Sequence, residues 1–124
     1  ILVYSSSKVQ NEKDIKNSNK NYVILRLGSV YGYSSTDTMR INIMPNLFSK
    51  IASQNGEISL FAGGKQIKSV VQLIDVVRCM KFMEENEKIK KETFNLVKET
   101  VTVKEVAEIC KKLNPKVSIN FPEY

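Results

Sequence analysis

The sequence predicts an α/β fold built on a largely parallel sheet, and three observations carry that reading. Tyr22 to Gly32 is a short apolar, β-branched run that ends in a small polar turn, the pattern of a strand buried on both faces of a parallel sheet. Segments of helical and extended periodicity alternate along the rest of the chain, as layered α/β domains require. Start and stop signals punctuate the helical segments. Ligands of open parallel sheets bind beyond the carboxyl ends of the strands, so the turn at Gly28–Gly32 is the first place to look for a site.

Element by element, Tyr4 to about Asn17 reads as a helix. Val9, Glu12, Lys13 and Ile15 fall at helical spacing, and Asn17-Ser-Asn-Lys-Asn21 breaks it. Val23 to Val30 reads as one buried strand, and Gly32 to Thr38 as a polar loop. Asn42 to Ser53 is a helix with Pro45 near its first turn and Asn55-Gly56 as its stop. Ile58 to Phe61 is a short strand, Ala62 to Lys65 a turn, and Lys68 to Leu73 extended chain. Asp75 is expected to cap a helix that runs through Val76, Val77, Cys79, Met80 and Met83 to about Glu85. Thr93 to Val97 is another strand. Thr102-Val-Lys-Glu105 has the capping-box pattern, followed by Val103, Val106, Ala107, Ile109, Cys110 and Leu113 on one helical face until Pro115. Val117 to Phe121 alternates and reads as the last strand.

Composition narrows the function classes. The chain has 124 residues, 42% apolar and 26% charged, which fits one soluble globular domain. Nothing approaches the ~18 continuous apolar residues of a membrane helix. Ile1-Leu2-Val3 is too short for the apolar region of a signal peptide. The chain lacks an initiator Met and is expected to be cut from something longer, working in the cytoplasm. A net charge of +6 spread over scattered lysines reads as a solvated basic surface. Nucleic-acid binding would need a Lys/Arg stripe with interleaved aromatics, and none is present. The two cysteines, Cys79 and Cys110, read as buried thiols in helices. With no histidine and no clustered cysteine, metal chemistry is not expected.

Tyr4 and Lys8 are the pair with chemical potential. Their i, i+4 spacing places them on one face of a helix. A neighbouring ammonium favours a phenolate, so a tyrosine so placed can exchange a proton with a substrate hydroxyl. In so lysine-rich a chain the same spacing also describes an ordinary surface pair.

Four ordered segments add context. Tyr4-Ser-Ser-Ser-Lys8 with Glu12, the strand Val23 to Gly32, the segment Gly64-Lys-Gln-Ile-Lys-Ser-Val-Val-Gln-Leu-Ile-Asp75, and Phe94-Asn-Leu-Val97 followed by Thr102-Val-Lys-Glu105 together resemble the extended short-chain dehydrogenase/reductase family of nucleotide-sugar epimerases and dehydratases. The resemblance covers nearly the whole chain. It implies the C-terminal portion of a Rossmann-like fold with a small substrate-binding subdomain, acting on a nucleotide sugar with NAD or NADP as cofactor. It further implies Tyr4 as the acid/base, Lys8 as its neighbour on the nicotinamide ribose, Gly28 near the nicotinamide ring, Ser29 facing the substrate, and Lys68 on the substrate diphosphate. Arg26 is expected to be structural.

The sequence departs from the family pattern at four places. Ser29 stands for Asn, Tyr33 for Pro, Lys68-Ser69 for Arg-Asp, and Val97 for Gly. Lysine keeps the charge of arginine but loses its bidentate fork. No G-x-G-x-x-G phosphate loop occurs, and Gly63-Gly64 does not have its spacing. The chain alone is therefore expected to be inactive, the substrate-binding part of an NAD(P)-dependent epimerase, dehydratase or reductase. The departures also fit a non-catalytic regulator or scaffold that kept the fold. Sheet edges left open are expected to pair with another copy, giving a homodimer.

Overall fold

The computed structural model describes residues 2–36 and 38–123. Its elements are α1 (Val3–Asn17), β1 (Val23–Leu27), β2 (Ser29–Tyr31), α2 (Met44–Ser53), β3 (Glu57–Ser59), a 3-10 turn (Phe61–Gly64), β4 (Ile67–Gln72), α3 (Leu73–Glu85), β5 (Glu92–Leu96), β6 (Glu99–Thr102), α4 (Val103–Leu113) and β7 (Ser118–Asn120). The α/β class and the parallel pairing are as the sequence predicts: β1 pairs with β5, β2 with β4, and β3 with β7, all in parallel. β6 joins β4 antiparallel.

The run expected to be one strand is two. It breaks at Gly28, where the chain changes partner. Val23 to Leu27 run beside Glu92 to Leu96. The Gly28 N–H donates to the Leu96 carbonyl at 3.0 Å, and Ser29 then pairs with Val70 on β4. Glycine is required there by contact: a Cβ on residue 28 would sit 2.8 Å from the Ser69 carbonyl oxygen. Burial on both faces is not observed either. Within β1 only Ile24 is buried, and Leu27 at the strand end is 43% exposed.

Most of the buried apolar surface lies elsewhere, between α2, α4, β3 and β7. Phe48, Ile58, Leu60, Ala107, Cys110 and Val117 form this core. Asn114 ties its two helices at their ends, donating from Nδ2 to the Ala52 carbonyl and to Asn55 Oδ1 at 2.7 and 2.9 Å.

Helix boundaries follow local chemistry. α2 starts at Met44, later than expected. A start at Asn42 would put Pro45 on the fourth helical residue, where a backbone N–H is needed; a start at Met44 puts it in the first turn, where none is. Asn55 then takes a left-handed φ of 55°, and the Gly56 N–H returns to the Ile51 carbonyl. In α4 the capping box forms as expected. Thr102 Oγ1 accepts from the Glu105 N–H, and Glu105 Oε2 accepts from the Thr102 N–H. That backbone donor is the main reason the Glu105 carboxyl lies below its ordinary range. Asp75 is not a cap. Gln72 holds that place without a side-chain bond, and Asp75 lies in the first turn paired with Arg78 at 3.3 Å. β4 runs directly into the helix, so the cap falls on its last residue. Cys110 is buried as expected and Cys79 only half-buried. Burial pushes the Cys110 thiol up.

Candidate functional site

α1 carries Tyr4 and Lys8, yet none of its residues is buried. Its side-chain tie to the sheet runs through Glu12. Arg26 on β1 grips this carboxylate with both ends of its fork, Nε to Oε1 at 2.8 Å and Nη2 to Oε2 at 2.7 Å, and Lys16 lies 3.8 Å away. Arg26 thus ties α1 to β1, a structural role as expected.

The hydrogen bond from Arg26, helped by nearby positive charge, holds the Glu12 carboxyl below its ordinary value of 4.5. A depressed folded value means that the tie contributes fully above the unfolded value and is lost as pH falls through the folded one. The pair is solvent-exposed, so its contribution is modest and salt-sensitive. We therefore expect the backbone NMR shifts of α1 to move as pH drops below 4.5, ahead of those of the Phe48–Ile58 core, and Glu12→Gln to reproduce the change at neutral pH. Shifts in α1 that stay put until the whole chain unfolds would contradict this.

A cleft of about 560 Å³ opens at the carboxyl ends of β2 and β4, the place where parallel sheets bind ligands. Tyr4, Gly28, Ser29, Tyr31, Arg40, Asn46 and Leu73 are among its walls. Asn46 stitches the rim: Oδ1 accepts from the Gly32 N–H at 3.1 Å, and Nδ2 donates to the Arg40 carbonyl at 3.1 Å. Gly32 takes a φ of 140°, open to glycine and strained for other residues.

The structure brings three of the expected site residues together: Tyr4, Gly28 and Ser29 share this cleft. Tyr4 is 72% exposed, and the Lys8 ammonium lies 5.3 Å from its ring centroid, within reach of a cation–π contact. Lys8 is not a wall of the cleft. Lys68 lines a second pocket of about 220 Å³. Ser29 and Ile43 are walls of both pockets, so the two spaces adjoin. Sequence reasoning missed Arg40 and Asn46. No spacing marks them, and only the fold brings Arg40, ahead of α2, and Asn46, in its first turn, to the strand ends. Among the described residues no cluster of His, Cys, Asp or Glu could hold a metal, and no helix is long and apolar enough to cross a membrane.

Comparison with known proteins agrees with this fold. The model of the NAD dependent epimerase/dehydratase family matches residues 2–96. A UDP-glucuronic acid 4-epimerase from Bacillus cereus, solved in complex with NAD, superposes with a TM-score of 0.80 at 23% identity, over 99% of this chain and 41% of that one. A UDP-glucose 4-epimerase from Thermotoga maritima, solved with UDP-glucose, gives 0.72 at 21% identity, over 96% and 39%. The UDP-glucose 4-epimerase of Thermus thermophilus, solved with NAD, gives 0.76 at 18% identity, over 96% and 41%. The chain thus spans about two-fifths of the length of these structures, and at such identities the likeness is one of fold. No curated protein sequence matches the chain.

Proposed function

Because the chain belongs to the NAD dependent epimerase/dehydratase family, we propose that the Tyr4–Ser29 cleft is the sugar side of a hydride-transfer centre acting on a nucleotide sugar. The observation that carries this is the meeting of Tyr4 and Ser29 in one cleft at the carboxyl ends of two parallel strands.

Bound NAD would supply a reversible hydride acceptor for a sugar carbinol carbon. This chain's residues handle the rest. The Tyr4 phenol takes the proton of the sugar hydroxyl as the carbonyl forms and gives it back on reduction. Lys8, beside the ring, supplies positive charge for that exchange and a donor toward the nicotinamide ribose. Gly28, whose missing Cβ would meet β4, puts bare backbone at the cleft wall near the place of the nicotinamide ring. The Ser29 hydroxyl faces the sugar, and Lys68, across the shared wall, takes the diphosphate as a point charge. The residues present thus suit the nicotinamide end of the cofactor, while no phosphate loop occurs among them. The dinucleotide phosphates are accordingly assigned to residues outside these 124, and the isolated chain is inactive.

The test is product analysis by NMR with the protein at full length, NAD and UDP-sugars. A C4-epimerised or dehydrated sugar supports the reading; ligand binding without turnover supports the non-catalytic regulator, which Lys68-Ser69 in place of Arg-Asp favours.

A homodimer belongs to the same proposal. On either side of β1, Tyr22 accepts from the Lys91 N–H and Gly28 donates to the Leu96 carbonyl, so by strand alternation the backbone groups of Val23, Leu25 and Leu27 face the other, open edge. Light scattering of the isolated chain is expected to give twice the monomer mass. A monomer at high concentration contradicts it.

A further inference from the structure

We infer that Arg40 selects a sugar bearing an acidic group, a uronate in place of a neutral hexose. This rests on the nucleotide-sugar reading of the cleft and specifies its substrate class.

Among the described residues Arg40 is the one charged wall of the Tyr4 cleft. Among the described residues no carboxylate shares that wall, and none of the described ion pairs involves Arg40. Its position is held from the backbone: Asn46 binds the Arg40 carbonyl with one end of its amide and the Gly32 N–H with the other. The guanidinium is therefore carried on a rim fixed to the strand end. Lys68, the cation suited to a diphosphate, lies in the adjoining pocket beyond Ser29 and Ile43.

A ligand that reaches from one pocket into the other meets a cation at each end. The diphosphate meets the first. The second, in the cleft with the proton-handling phenol, calls for a negative charge on the sugar itself. A carboxylate at the sugar's exocyclic carbon supplies it and matches the guanidinium fork with two parallel charge-assisted bonds. A neutral hexose leaves that fork unpaired but solvated, so it binds without the gain.

The experiment is calorimetric titration of the full-length protein, loaded with NAD, using UDP-glucuronic acid and UDP-glucose. The wild type is expected to bind the uronate at least about tenfold more tightly. Arg40→Gln is expected to weaken the uronate at least about tenfold and to leave UDP-glucose within about twofold. Arg40→Lys keeps the charge and is expected to recover part of the loss. Lys68→Gln should weaken both ligands alike, because both carry the diphosphate. Equal weakening of both ligands by Arg40→Gln would mean that Arg40 grips the diphosphate, and it overturns the inference. So does a wild type without preference between the two. In either case UDP-glucose still binds and the nucleotide-sugar reading stands; a wild type that binds neither overturns both. Arg40 is exposed, so its replacement leaves the fold intact, and circular dichroism checks this.

Discussion

Tyr4→Phe is expected to lower the turnover of a nucleotide sugar by about 10²–10⁴-fold, the range over which a positioned acid/base acts, with nucleotide-sugar affinity nearly unchanged. The substitution removes one hydroxyl and keeps the ring beneath Lys8, so the cation–π contact survives. It leaves the fold alone, because Tyr4 is 72% exposed and α1 buries no residue. The loss therefore falls on the chemical step. Measuring kcat and ligand Kd on the same preparation separates the two. An unchanged kcat would remove Tyr4 from catalysis and leave the cleft as a binding site.

Gly28→Val acts on the frame that shapes the cleft. Here the cost is contact, with no demand for a left-handed backbone. The new Cβ would lie 2.8 Å from the Ser69 carbonyl oxygen. That oxygen belongs to the backbone of β4, which is held on one side by β2 and on the other by β6, so it cannot move without opening the sheet. Overpacking of this kind costs about 1–3 kcal/mol, a large share of the stability of a small domain. We expect a Tm several degrees lower and loss of sugar-nucleotide binding, since Ser29 is the next residue along. A variant with wild-type Tm and affinity would show that the strand switch tolerates a side chain and does not set the cleft.

How much of this was legible beforehand depends on the range of the interaction. The α4 cap was legible because Thr102 and Glu105 answer each other within one turn. The strand ending at the cleft was legible because its apolar run and polar turn are contiguous. Tyr4 and Ser29 meet because α1 folds back on β1, and the family resemblance anticipated that meeting while the periodicity did not. The break at Gly28 was not legible, since it arises from Leu96 and Val70, far along the chain, competing for one strand. β6 was hidden because its residues Glu99-Thr-Val-Thr102 run straight into the capping box. Asp75 misled because a carboxylate near a helix start suits both the cap and the first turn. Arg40 gave no local signal at all; only the closing of its loop by Asn46 reveals it.

The most direct measurement follows nicotinamide fluorescence in the full-length protein loaded with NAD+ as a UDP-sugar is added. The emission of the reduced ring should appear in the wild type and be lost in Tyr4→Phe. Saturating, tight binding of the sugar nucleotide with no emission and no epimerised, dehydrated or oxidised sugar in either protein would contradict a hydride-transfer centre at this cleft.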